Sequence, residues 1–238
     1  MVLWRVAIVF VIHWSFPLNN LALSFRDRFN QRGVLSDLDE AIDLHQATLA
    51  LCPPGHPRRS NSLNNLALSL RDRFDQRGVL SDLDEAIGLH RATLALCPPG
   101  HSDQSSSLNN LAISLRHRFN QKGVLSDLNE AIDLHQAALA LRPLGHSDRS
   151  QSLNNLANSL RDRFEQRGVL SDLNEAIDLH RAALALRPPG HSYRFESLNN
   201  LANGLRDKFD QGGVLSDLDE AIDLQQAALA LCPPGHSY

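Results

Sequence analysis

At 238 residues, with 42% hydrophobic and 21% charged residues and a formal net charge of -4, the chain has the makeup of an ordinary folded protein. Nucleic-acid binders usually carry a strongly basic footprint. This balance supplies none, so no nucleic-acid partner is expected.

Residues 1–17 stand apart from everything that follows. Val6 to Ile12 form an apolar run after Arg5, at the short limit for a signal-peptide core, and no small-x-small cleavage pattern precedes Pro17. A bilayer takes about 20 apolar residues, so no membrane association is expected either. The segment reads as a foreign start joined to a repeat array.

From Leu18 onward one period governs the chain. Leu-Asn-Asn-Leu-Ala begins at Leu18, Leu63, Leu108, Leu153 and Leu198, a 45-residue step each time. Periods between about 20 and 50 residues mark stacked arrays whose members bury apolar surface only against neighbours. Residues 18–238 are therefore read as one domain of five 45-residue repeats, the last truncated. The chain ends where another repeat would begin, as expected of a fragment of a longer protein.

Within a repeat, Leu153, Leu156, Ala157, Leu160 and Phe164 share one face of a helix, here called helix A. Gly168 stops that helix, being free to adopt positive φ. Ser171 or Asp172 is expected to cap a second helix B with its side-chain oxygen, and Asp172 and Glu175 suit the positive end of the helix dipole. Helix B carries Leu173, Ala176, Ile177, Leu179, Ala183, Leu184 and Leu186 at helical spacing, and Pro188-Pro-Gly190 ends it. Gly88 replaces the Asp found at 43, 133, 178 and 223, which weakens its helix by about 1 kcal/mol relative to Ala.

Three recurring positions raise the question of chemistry. Cys52, Cys97 and Cys232 are equivalent, and stacked helices step by roughly 10 Å, too far for a disulfide, which needs Cα atoms closer than about 7 Å. Arg142 and Arg187 take the same place, so the position is read as a tolerant surface site in a reducing, cytosolic protein. His45, His90, His135 and His180 are read as packed between helices, with Gln225 in the last repeat. His56, His101, His146, His191 and His236 follow the loop glycine and are expected to help turn the chain. There is no Gly-rich phosphate loop and no constellation belonging to one repeat alone, so neither catalysis nor a metal or cofactor site is expected.

Glu130-Ala-Ile-Asp-Leu-His-Gln-Ala-Ala-Leu-Ala-Leu-Arg-Pro143 resembles the second half of a tetratricopeptide repeat. Leu-Asn-Asn-Leu-Ala resembles the opening of helix A in the kinesin light chain subtype. The repeats are about 11 residues longer than the standard 34, and the usual aromatic near the end of helix A is Phe25 once but Leu70, Leu115, Leu160 and Leu205 elsewhere. Long, nearly identical repeats of this kind are similar to arrays in large fungal proteins, which commonly carry a peptidase or nucleotide-binding domain as well.

The resemblance implies an all-α, right-handed α-solenoid that binds an extended peptide or partner helix on a concave face lined by helix A. Its ligand-facing positions fall here on Asn64, Asn109, Asn154 and Asn199, and on Arg71, Arg116 and Arg161. A variable column of Leu23, Leu68, Ile113, Asn158 and Asn203 lies between them. An Asn amide can grip a peptide backbone and an Arg can fork onto a carboxylate. An alternative stays open, in which the Asn column bonds between neighbouring A helices and the Arg and Asp columns neutralise one another. Two further functions stay open as well: a sensor array of a larger protein, and self-association through uncapped terminal repeats.

Overall fold

The computed structural model describes residues 2–231, with side chains described from Trp14 onward. Among these residues the fold is all-α, with no strand. Helix A of the successive repeats is α1 (Val2–Arg32), α3 (Arg59–Arg77), α5 (Gln104–Lys122), α7 (Arg149–Arg167) and α9 (Arg194–Gly212). Helix B is α2 (Leu35–Ala50), α4 (Leu80–Ala95), α6 (Leu125–Ala140), α8 (Leu170–Ala185) and α10 (Leu215–Leu229). The chain divides into two compact bodies at Val124 and Leu125. In each body every helix packs on the next in sequence, the helix-pair stacking of an α-solenoid.

The apolar faces anticipated from spacing form the cores. In the N-terminal body Phe29, Leu38, Ile42, Leu66, Ala67, Leu70 and Ala86 are buried together. Phe164, Leu173, Ile177, Leu201, Ala202, Leu205 and Ala221 do the same in the C-terminal body. Ala67 and Ala202, both fully buried, let neighbouring helices approach closely because a methyl takes little room.

Helix A ends as its glycine dictates. Gly168 sits at φ +67°, a left-handed conformation that an L side chain rarely adopts, and its N–H bonds back to Phe164 O at 2.7 Å. Helix B, however, does not start on a side-chain cap. Val169 occupies the cap position, so Ser171 and Asp172 already lie inside the first turn and neither oxygen caps the helix. The carboxylate of Asp172 turns instead to Arg163, with bonds of 2.7 and 2.9 Å. The same brace recurs from Arg28 to Asp37, Arg73 to Asp82 and Lys208 to Asp217. It ties the end of helix A to the start of helix B.

Helix A begins four residues before its Leu-Asn-Asn-Leu motif, at Arg149 in α7. The cause is the loop histidine. His146 Nδ1 accepts the backbone N–H of Asp148 at 3.1 Å, while the backbone N–H of His146 donates to Pro143 O at 3.0 Å. His56, His101 and His191 make the same turn. His236 lies outside the described residues.

The position shared by cysteine and arginine is not a surface site. Cys52 and Arg187 are fully buried and Cys97 and Arg142 almost so, beneath the first turn of the following helix A. What makes the position permissive is its serine neighbour. A hydroxyl both donates and accepts, so Ser62 gives a 3.5 Å bond to the Cys52 thiol, whereas Ser152 and Ser197 accept from Arg142 at 2.6 Å and Arg187 at 2.8 Å. Cys232 lies outside the described residues.

Residues 2–17 are continuous with the first helix A, since α1 runs unbroken through Pro17. No helix among the described residues is long and apolar enough to cross a membrane. Gly88 lies within α4 at an exposed position, and a Cβ added there meets nothing within 4 Å. Gly88→Ala is therefore expected to stabilise the N-terminal body by about 1 kcal/mol. A urea midpoint that does not move upward would refute this.

Candidate functional site

Along α3 the residues Asn64, Leu68, Arg71 and Asp72 recur at spacings of four, three and one, and all four are half-buried on one face. Asn109 is buried in α5, with Ile113 and Arg116 half-buried beside it. In the C-terminal body Asn158 of α7 and Asn199 and Asn203 of α9 are half-buried. Arg206 is exposed.

Polar bonds run across this face from one A helix to the next. Asn65 donates to Asn19 Oδ1 at 2.9 Å and Asn110 to Asn64 Oδ1 at 3.0 Å, so in the N-terminal body the second Asn of the motif reaches back to the first Asn of the repeat before it. Arg26 Nε donates to Asp72 Oδ2 at 2.6 Å, and Arg161 bonds in the same way to Asp207. Arg161 also meets Glu165, at 3.0 Å. Part of the Asn and Arg rows thus stitches neighbouring helices together.

Arg71 departs from that pattern. The residue that ought to answer it on α5 is His117, not a carboxylate, and His117 Nδ1 lies 3.1 Å from Asp75 Oδ1. Arg71 is left with Asp72 at 3.8 Å, beyond hydrogen-bond range, and its Nη1 is buried with no partner. Burial pushes the guanidinium below its ordinary pKa; Asp72 and Asp75 pull it upward and Arg26 adds to the depression.

Asn154 is fully buried, where a ligand lying on the helix face does not reach it. With its amide oriented to satisfy both neighbours, it donates to His180 Nδ1 at 3.1 Å and accepts from Arg187 Nη1 at 2.8 Å. The helix-B histidines are packed as spacing suggested, all four fully buried. Those of the N-terminal body lack such support: both ring nitrogens of His45 and of His90 are buried without partners. Burial first, and then Arg26, pushes His45 down to about 4; burial and Arg71 push His90 to about 3.

Small notches open beside the Asn row. One of about 300 Å³ is lined by Phe16, Asn19, Thr48, Cys52 and Ser62, and one of about 280 Å³ by Asn61, Asn64, Thr93, Cys97 and Ser107. In the C-terminal body a notch of about 410 Å³ is lined by Ser150, Gln151, Arg187, Tyr193 and Glu196. Among the described residues no group of three or more His, Cys, Asp or Glu could hold a metal ion.

Two groups of residues escaped sequence reasoning. The bridging role belongs to the second Asn of the motif, Asn65 and Asn110, for which a repeat carrying both amides offers no distinguishing signal. The Arg–Asp brace did leave a signal, a basic residue nine positions before an Asp at 28, 73, 163 and 208.

Residues 60–103 match the family model of a tetratricopeptide repeat. Two crystal structures of Podosopora anserina kinesin light chain nearly identical TPR-like repeats align with TM-scores of 0.65 and 0.61 at 18% and 19% identity. The first covers 91% of this chain and 98% of its own, the second 92% and 99%. BtubC (BKLC) from P. vanneervenii aligns with a TM-score of 0.58 at 15% identity, covering 96% of each chain. No curated protein matches. Residues 60–103 thus match a tetratricopeptide repeat, and the stacked helix pairs share the fold of these kinesin light chain-like repeat arrays.

Proposed function

We propose that this tetratricopeptide repeat array is a protein-interaction scaffold that takes an extended peptide or a partner helix on the face formed by its A helices, the concave side in such arrays. The observation that carries this reading is the half-buried row on that face. In the N-terminal body Leu68 and Ile113 present half-buried side chains on successive A helices, as Asn158 and Asn203 do in the C-terminal body, and each body also holds a notch large enough to admit a ligand side chain. Half-burial suits a docking surface because little further ordering is needed when a partner covers it.

The row also divides by chemistry. Leu68 and Ile113 offer an apolar surface in the N-terminal body, whereas Asn158 and Asn203 offer amides in the C-terminal body. A peptide on the N-terminal body would place apolar side chains against the first pair, and one on the C-terminal body would place polar side chains against the second. Asn64 in the N-terminal body and Asn199 in the C-terminal body would each hold a ligand backbone, with the buried Asn109 and Asn154 supporting the respective faces from beneath.

Peptides selected from a random dodecamer display library supply the test. Ile113→Lys and Asn158→Lys, each placing a charged chain in the row, are expected to weaken binding by about tenfold or more while leaving the helical circular dichroism unchanged. If both variants bind the selected peptides as tightly as the parent chain, the ligand does not lie on this face.

A further inference from the structure

Resting on that reading, we infer that Arg71 is an acid-reading subsite, taking the carboxylate of a bound peptide because His117 stands where the array elsewhere supplies its own carboxylate. The intact pattern is seen at Arg161, which is held between Asp207 of the next A helix and Glu165 of its own. Arg26 is answered by Asp72. Both cations are already spent on internal partners.

At Arg71 each of the two corresponding acids is lost. The Asp207 position is His117, and Asp75, at the Glu165 position, pairs with His117 instead. The side chain keeps 15% exposure, so the guanidinium is mostly desolvated yet still touches solvent on the half-buried face. A desolvated cation without a hydrogen-bonding anion is an unfavourable arrangement. An incoming carboxylate restores the geometry that Asp207 gives Arg161, and a single guanidinium matches a singly charged group. Leu68, one helical turn away, would sit against the neighbouring residue of the peptide. The subsite therefore also fixes the register of the ligand along the face.

The test uses the full chain on an array of random decapeptides, synthesised both with amidated and with free C-termini. The parent chain is expected to favour Asp or Glu at one position of the amidated set, or the free-acid set if the terminal carboxylate is what docks. His117→Asp supplies Arg71 with an internal anion, as the Asp at 72, 162 and 207 shows the fold tolerates, and Arg71→Gln removes the cation. Each is expected to reduce the acid preference by about tenfold while neutral peptides bind as before. Peptides bound without an acid preference, or a preference that survives both substitutions, would overturn the subsite and leave the scaffold reading intact. If no peptide binds the parent chain or either variant, both readings fall together.

Discussion

Lowering the pH from 7 to 5 is expected to remove about 4 kcal/mol of stability from the N-terminal body. His45 and His90 are buried with neither ring nitrogen partnered and with Arg26 and Arg71 adding positive charge nearby, so the folded protein holds them neutral down to about pH 4 and about pH 3. In the unfolded chain the same imidazoles take up protons from their ordinary value of 6.5 downward. Between about pH 6.5 and pH 4 the unfolded state therefore binds more protons than the native state, and stability falls as the solution is acidified. Each histidine contributes about 2 kcal/mol to that fall by pH 5. Asp37, Asp39 and Asp84 are held below the usual carboxylate range by their hydrogen bonds to Arg28, Arg77 and Lys122 respectively. Their contribution is lost only at still lower pH, so the window from 6.5 to 5 isolates the histidines. His45→Leu and His90→Leu keep a similar volume and remove the unpaired nitrogens. Each is expected to flatten the acid limb without loss of stability at pH 7. Urea midpoints followed by circular dichroism at both pH values decide the matter, and an acid limb as steep in the double variant as in the parent would contradict it.

Arg187→Ala is expected to destabilise the C-terminal body by about 3 kcal/mol. Few buried arginines are so fully engaged. Its guanidinium donates to Tyr193 O at 2.9 Å, Ser197 Oγ at 2.8 Å and Gln151 Oε1 at 3.0 Å, lies over the Tyr193 ring, and meets Glu196 at 3.3 Å. It also gives Asn154 the donor that orients it toward His180. Removing the side chain leaves a cavity and several buried polar groups unanswered, which is costlier than losing an exposed ion pair. Arg187→Cys is expected to cost less, because Ser197 can donate to sulfur as Ser62 does to Cys52. Equal urea midpoints for the parent chain and Arg187→Ala would show the network to be dispensable.

The helix pairs were legible in the sequence because apolar spacing and glycine stops are local signals. Leu153, Leu156, Ala157, Leu160 and Phe164 all reach the core, and Gly168 closes α7. Signals carried by side-chain direction were not legible. Ser171 and Asp172 satisfy the pattern of a cap, yet Val169 takes the cap position and Asp172 pairs with Arg163. The exchange of Cys for Arg read as surface tolerance, since spacing does not reveal that a rotatable hydroxyl waits beneath the position. The two amides of Leu-Asn-Asn-Leu-Ala likewise carry no mark of which one donates to the preceding repeat and which one accepts from the following one. Arg71 needed the structure most of all, because its missing partner lies 46 residues away on another helix.

The serines at 62, 107, 152 and 197 bear on how such an array can change over generations. Each is an adapter that reverses polarity by rotating one bond, so a copied module bearing a thiol and one bearing a guanidinium fit the same socket. Recombination between near-identical modules can then shuffle a notch from neutral to cationic in one exchange, leaving the adjoining helices undisturbed.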